Sequence, residues 1–230
     1  MEINPIAYIH TDFPAKFGIP RQAGIVPELT GTITFLPQYS QPEAVRGLTG
    51  FSHIWILWDF SLEHHENYNL TVRPPRLGGK ESVGVFASRS PFRPNSIGLS
   101  SVRLTDIEYT EKGPVLHVSG VDMVDGTPVY DIKPYIPYDD CHPEAKGGYT
   151  DEITWEALDV SDPEDLIEKT GLSCLQKQAL MKVLSQDPRS RFDSRSDGSR
   201  RYGFFFADYD VRFTVTGINL TITEIVRRIQ

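Results

Sequence analysis

Apolar residues in the first half of the chain fall into short runs separated by Gly, Pro and polar clusters. Residues 3–9 predict a first strand. Residues 31–36 predict a second, stopped by Pro37. Residues 41–48 read as a short helix with Pro42 near its start. Residues 51–60 are almost unbroken apolar and aromatic, which predicts a strand buried on both faces, with His53 as a hydrogen-bonded core residue. Val83, Val85 and Phe86 predict a strand entering a loop. Residues 97–104 leave it as another, continued to Tyr109. Glu111-Lys112-Gly113 marks a turn, and residues 115–121 return as the hairpin partner. Strand follows strand with hardly any helix, so the expected class is mainly β, an antiparallel β-barrel.

The pattern changes after about residue 137. Residues 139–150, with Pro143 and Gly147-Gly148, read as an excursion, and residues 153–158 as a further strand. Ser161-Asp162-Pro163-Glu164 resembles a helix start. Leu166, Ile167, Leu172, Leu175, Ala179, Leu180, Val183 and Leu184 then recur at helical spacing, interrupted by Gly171, and predict helices over 163–170 and 173–186. Strands are expected at 201–206, 209–215 and 219–227, with Thr216-Gly217 turning between the last two. The expected organisation is a barrel over 1–137, a connection over 138–160 and a small α+β C-terminal appendage over 161–230.

Composition narrows the function classes. The 230 residues, 39% hydrophobic, include twelve Phe, ten Tyr and three Trp, enough to fill a core. No run approaches the roughly 20 apolar residues of a membrane helix, and residues 1–5 do not form a secretion signal. The two cysteines, Cys141 and Cys174, indicate neither a disulfide framework nor a zinc site. His64-His65 has no acid or Cys at metal-ligand spacing, so these histidines are read as solvated and no metal is expected. Together these features favour a reduced, cytoplasmic location. A net charge of −8 argues against broad affinity for nucleic acid. Between Lys182 and Arg201, however, six basic residues (Lys182, Arg189, Arg191, Arg195, Arg200, Arg201) face three acids (Asp187, Asp193, Asp197). This basic run can serve as a phosphate-contacting surface or as a solvated loop.

Three stiff, charged loops carry the candidate chemistry. In residues 83–99, Pro91 and Pro94 lack backbone N–H groups and push Ser90 and Arg93 out of the helical region. Arg89 and Arg93 are thus held between two strands. Residues 72–79 and 121–135 have the same mixture of Pro or Gly with charge. If the loops follow or join strands of one barrel, they gather at one end of it, where sites are commonly built. Arg89 and Arg93 suit carboxylates. Asp122, Asp125 and Asp131 can accept from a hydroxyl, an amine or an acidic N–H, and the residues alone do not choose among them. Asp125-Gly126-Thr127-Pro128 can also be a turn whose Asp bonds its own backbone. No Gly-x-Gly-x-x-Gly joins a strand to a helix, so a dinucleotide-binding parallel sheet is not supported.

Residues 73–79, 84–99 and 122–135, with Pro20-Arg21-Gln22, residues 51–57 and Gln186-Asp187-Pro188-Arg189, resemble a known family. It comprises S-adenosylmethionine-dependent tRNA methyltransferases that act on N6 of threonylcarbamoyladenosine at position 37 of the anticodon loop. The resemblance is close over roughly the first 137 residues and looser beyond. It implies a β-barrel methyltransferase that uses S-adenosylmethionine as donor and works as a homodimer with its site near the subunit contact. It places donor contacts on Pro20, Arg21, Gln22, Ser61, Leu62, Arg89, Leu99, Asp122, Met123, Val124 and Asp125. Relatives carry His near the position of Ser61, so a contact there falls to backbone or hydroxyl. Substrate contacts are expected from Arg76, Arg93, Asn95, Arg189, Arg191, Arg200 and Arg201. The competing readings are a ligand-sensing barrel without catalysis and an RNA-binding module.

Overall fold

The computed structural model describes residues 2–64, 68–74, 81–152, 156–189 and 200–228. The first part is a closed barrel. Its strands are β1 (Ala7–Thr11), β2 (Thr30–Phe35) and β3 (His53–Asp59), followed by β6 (Ile97–Thr110), β7 (Gly113–Ser119) and β8 (Thr127–Pro134). Between β3 and β6 lies a two-stranded ribbon of β4 (Thr71–Val72) and β5 (Val83–Gly84). The barrel order is β1-β2-β7-β6-β3-β8, closed by β8 pairing with β1, and every pairing is antiparallel.

Alternation along each strand fills the interior. Ala7 and Ile9, Ile54 and Ile56, Leu116 and Val118, and Val102 and Leu104 are all buried. A six-stranded barrel is narrow enough for such side chains to fill it, so ligands must bind at its rim rather than in its lumen. Gly113 closes the β6–β7 hairpin at φ 107, and a Cβ there would lie 2.2 Å from the Ser40 carbonyl oxygen. Glycine is therefore required for both conformation and space.

The later elements are α1 (Pro137–Asp140), β9 (Asp159–Ser161), α2 (Cys174–Ser185), β10 (Tyr202–Phe206), β11 (Tyr209–Thr216) and β12 (Asn219–Arg227). The sheet order is β10-β11-β12-β9, with β9 parallel to β12. Ser173 caps α2 in a reciprocal capping box with Gln176. The other end of the Gln176 amide donates to Asp12 at 2.8 Å, and Phe13 meets Phe206 edge to face at 5.4 Å. The appendage is thereby stapled to the barrel through one continuous apolar core.

Several expectations are corrected. Residues 41–48 form no α-helix; they contain a 3-10 turn, Pro42–Val45, and the first residue of a second, Leu48–Gly50. β3 buries one face fully and the other in part, and His53 is exposed, its ring bonded to Ser52 Oγ at 2.9 Å. The strand expected through Val85 and Phe86 ends at Gly84 and gives way to a 3-10 turn, Val85–Ala87. The loop expected over 121–135 is shorter, because residues from Thr127 onward pair as β8; Pro128 and Pro134 sit at the strand's ends. No helix forms over 163–170. The Asp162 carboxylate accepts from the amides of Leu166 and Ile167, and Asp165 adopts a left-handed φ of 52, which breaks helical continuation. Of the strand expected over 153–158, residues 153–155 lie outside the described residues, and the observed strand begins at Asp159.

Candidate functional site

The C-terminal end of β3, the start of β6 and the start of β8 lie at the same end of the barrel because β3 runs antiparallel to both neighbours. A groove of about 1540 Å³ opens there. Its walls come from residues 19–22, 58–63, 86–93, 97–100, Asp122, Val124 and Thr127, with Gly147, Tyr149 and Thr150 reaching in from the excursion after α1. Small-ligand sites usually occupy ~300–1,000 Å³, so this groove has room for a nucleoside-sized ligand and part of a second one.

The wall at 88–96 holds its shape through its serines. Ser88 Oγ donates to the Val85 carbonyl and accepts from the Ser90 amide. Ser90 Oγ accepts from the Phe92 amide, and Ser96 Oγ donates to the Pro91 carbonyl. Two prolines remove donors, and hydroxyls satisfy backbone groups that a strand would have paired. The loop is stiff because its polar groups are bonded internally. Of its arginines, Arg89 reaches out of that frame to Gln22, and Arg93 folds back toward the Ser88 carbonyl.

At the floor, β3 and β6 pair Trp58 with Gly98. A Cβ at Gly98 would come within 2.2 Å of the Trp58 indole, so only glycine lets the ring lie across the neighbouring strand. Trp58 Nε1 then donates to Ser100 Oγ at 3.0 Å, and Ser100 Oγ donates to Asp122 Oδ1 at 2.7 Å. Burial raises the Asp122 carboxyl from its ordinary 3.8 to about 6. The hydroxyl of Ser100, the amide of Ala23 and the Arg89 charge all oppose that rise. Asp122 can therefore change protonation near neutral pH, the range useful for accepting a proton.

Cations line the same groove. Arg89 Nη1 donates to Gln22 Oε1, which joins two of the sequence motifs directly. Arg93 Nη2 donates weakly to the Ser88 carbonyl at 3.4 Å. Arg73 also lines the groove, and Lys16 pairs with Glu63 at its edge. At the end of β3, the buried Asp59 accepts from His64 Nε2 at 2.7 Å and from the Tyr130 hydroxyl, whose pKa is raised by burial and by the Asp59 charge.

Of the residues expected to hold the donor, Pro20, Arg21, Gln22, Ser61, Leu62, Arg89, Leu99, Asp122 and Val124 all line this one groove. Met123 does not: its side chain is 1% exposed in the core, and its carbonyl accepts from Thr11 Oγ1. Asp125 sits outside the lining, bonded to the His10 ring and the Thr11 amide. Asp131 lies in β8, bonded to the Ile132 amide and paired with Lys133 at 2.8 Å. The three candidate acids are thus separated, with Asp122 alone among them in the groove. Arg93 lines the groove, whereas the exposed Asn95 turns on its own loop through its carbonyl. Arg76 and Arg191 lie outside the described residues. The Arg189 side chain is 5% exposed and grips Asp187 through two bonds of 2.8 and 2.9 Å. Arg200 lies over the Tyr202 ring, and Arg201 pairs with Glu224 at 2.7 Å.

Sequence reasoning missed Trp58, Ser100 and the strap at 147–150. For the first two the signal was period-two alternation, which puts residues 58 and 100 on the inner face of paired strands. For the strap there was none. Among the described residues, no cluster of His, Cys, Asp and Glu could hold a metal ion, and no helix is long and apolar enough to cross a membrane.

The model of the tRNA-methyltransferase O N-terminal domain matches residues 8–141, and that of the corresponding C-terminal domain matches residues 166–228. The tRNA (adenine(37)-N6)-methyltransferase of Escherichia coli K12 is 37% identical over 220 residues, covering 94% of this chain and 93% of that protein. RcsF of Pseudomonas aeruginosa, named for S-adenosylmethionine-dependent methyl transfer, is 40% identical over 219 residues, covering 92% and 91%. The crystal structure of TrmO from Pseudomonas aeruginosa superposes with a TM-score of 0.78 at 34% identity, covering 99% of this chain and 97% of that one. The N-terminal model ends close to where the barrel ends, and the C-terminal model spans α2 and the last three strands. With both domain models matched and 37% identity to a relative over nearly all of each chain, the chain belongs to the tRNA-methyltransferase O family.

Proposed function

We propose that this protein transfers a methyl group from S-adenosylmethionine to N6 of threonylcarbamoyladenosine at position 37 of tRNA, in the cytoplasm. One observation carries the reading: four separate motifs, at residues 20–22, 61–62, 89–99 and 122–124, converge on one groove. The names of its relatives supply the adenine and the donor.

The groove suits the donor chemically. Ile19, Trp58 and Phe60 give apolar surface for an adenine, Arg89 offers a cation to a carboxylate, and Asp122 offers an acceptor. The bound donor supplies an electrophilic methyl group on a sulfonium. The chain's part is alignment, which alone is worth up to ~7–11 kcal/mol in a reaction between two held partners. Threonylcarbamoylation makes N6 part of a urea, so its proton is unusually acidic and its lone pair delocalised. Ionised Asp122 accepts that proton, N6 takes the methyl group as the carbon–sulfur bond breaks, and the thioether product is neutral. Asp122 is assigned this role because Asp125 and Asp131 lie outside the groove.

The threonylcarbamoyl carboxylate needs a cation. Arg93 is assigned to it because its present bond to a carbonyl is long and easily exchanged; Arg73 is a second cation in reach of the groove. Recognition then depends on the modified base in an unstacked anticodon loop rather than on bulk charge. Arg200 and Arg201 extend the RNA contact to phosphates on the appendage. A homodimer is part of the same reading: Leu62, Phe86 and Leu99 are 59%, 78% and 53% exposed around the groove, and a second subunit would cover them.

Mass spectrometry of nucleosides from tRNA incubated with the protein and labelled donor tests the reaction. Methylated threonylcarbamoyladenosine is expected, with little product on unmodified transcript, because a site built for the carboxylate leaves its cation unpaired with plain adenosine. Equal turnover on both RNAs removes the carboxylate from recognition; no product on either removes the reaction. Sedimentation of the purified protein tests the dimer.

A further inference from the structure

We propose that Trp58 and Ser100 form a directional clamp that positions Asp122 and keeps it ionisable for the reaction. This inference rests on the role assigned to Asp122 above. It names two residues that position the acid, Trp58 also lending its ring face to the groove.

The argument is one of hydrogen-bond accounting. An indole N–H can only donate. Trp58 Nε1 lies 3.0 Å from Ser100 Oγ, so that oxygen must accept. A serine hydroxyl has one hydrogen, and the oxygen's other close partner is Asp122 Oδ1 at 2.7 Å. Ser100 is 3% exposed, so water does not offer an alternative rotor position. The hydroxyl is thereby fixed with its hydrogen toward the carboxylate. The Trp58 ring is itself fixed: it lies over Gly98, where no side chain fits, and packs against Phe60 with ring centroids 4.3 Å apart. The clamp therefore runs from a backbone feature, a glycine in β6, through two side chains to the acid in the groove.

A donor aimed at a carboxylate favours its charged form. The other groups acting on Asp122 are the Ala23 amide, its own backbone amide and Arg89. Of these, Arg89 carries charge but is exposed and already bonded to Gln22. Burial works the other way. With the clamp cut, burial dominates, and Asp122 holds its proton to higher pH.

Three measurements test this. The first is the pH profile of kcat/KM for tRNA methylation. In Ser100→Ala the acid limb should move up by about 1 pH unit, the equivalent of one hydrogen bond to a charged group; Trp58→Phe should move it in the same direction by less. The second is the pH dependence of unfolding, which needs no substrate. In Ser100→Ala the part of the melting-temperature curve due to Asp122, its difference from the Asp122→Asn curve, should go on falling above pH 6, where that part levels off in the wild type. The third is the same substitution in an Asp122→Asn background, where neither curve should shift. A folded Ser100→Ala protein with lower stability but unmoved pH curves overturns the clamp, and so does a shift that persists with Asp122→Asn. If the wild-type protein methylates no tRNA, the proposed reaction falls, while the unfolding curves still decide the clamp.

Discussion

At the barrel end, Arg89 and Arg93 donate to the neutral oxygens of Gln22 and Ser88, and Asp122 accepts from the hydroxyl of Ser100. In the C-terminal appendage, Arg189, Arg201 and Arg212 each donate to a carboxylate, on Asp187, Glu224 and Asp210. Both regions are rich in charge, but they use it differently. A cation against a carbonyl is oriented without being neutralised, so most of its field remains for a ligand. A cation against a carboxylate is largely neutralised and must give up that partner before it can meet a phosphate. The edge of the groove shows the second use as well, in the Lys16–Glu63 pair. The contrast marks which charges are available for binding, and position in the sequence does not reveal it.

Removing Asp122 should break the comparison most sharply. Asp122→Asn is expected to lower turnover by about 100- to 10,000-fold, the usual worth of a placed acid or base. It should also stabilise the fold at neutral pH. The carboxyl is raised from 3.8 to about 6, so the native state binds its proton more tightly than the unfolded chain. The contribution of Asp122 to wild-type stability therefore falls as pH rises from about 4 to about 6, by on the order of 1–3 kcal/mol, and the amide escapes that loss. Melting temperatures of the two proteins at several pH values check this; identical curves would mean the acid is not destabilised in the native groove.

Arg189→Ala is next and acts on the other region. It strands a largely buried Asp187 and should cost about 3–5 kcal/mol of stability. Donor affinity per folded molecule should not change, which calorimetry alongside chemical denaturation can separate. Arg89→Ala should do the reverse: donor binding weakened by about 1–3 kcal/mol with little change in stability. Unchanged affinity would remove Arg89 from the donor contacts. The smallest effect is expected for Arg201→Ala. Its exposed pair with Glu224 is worth ~0–1 kcal/mol. If Arg201 meets phosphate, the salt dependence of tRNA binding should flatten, and an identical salt slope would leave it a surface ion pair only.

The barrel was legible in the sequence because period-two alternation and turn signals state directly which residues face inward. The last three strands were legible for the same reason. The region over 163–170 was not: its apolar spacing is helical, but Asp162 captures the amides of Leu166 and Ile167 and Asp165 turns left-handed. That contest between side chain and backbone leaves no periodic trace. The loop over 121–135 was overextended because Pro128 and Pro134 suggest a break, and only barrel closure shows that β8 tolerates them at its ends. The groove's motifs could be named before the fold was known. The partition among Asp122, Asp125 and Asp131 could not, since it depends on which residues the strand register turns toward β3 and β6. The pairing of Arg189 with Asp187 was not legible either: a basic run says nothing about which of its members has a carboxylate two residues away in bonding geometry.

Closure of the barrel by β1 and β8 also sets a schedule. Ile9 pairs with Thr127, and the pairing is antiparallel along the seam. On a chain made from its N-terminus, β1 leaves the ribosome well before β8 and must wait for it before it gains its second neighbour. Contacts so far apart in sequence are slow to form. Until they do, the start of β8 is absent from the groove rim, and its walls belong to an open sheet with two bare edges. Catalytic competence should therefore appear late in synthesis and all at once, when the seam zips. A nascent chain halted before β8 should capture no donor, however completely β3 and β6 have already paired.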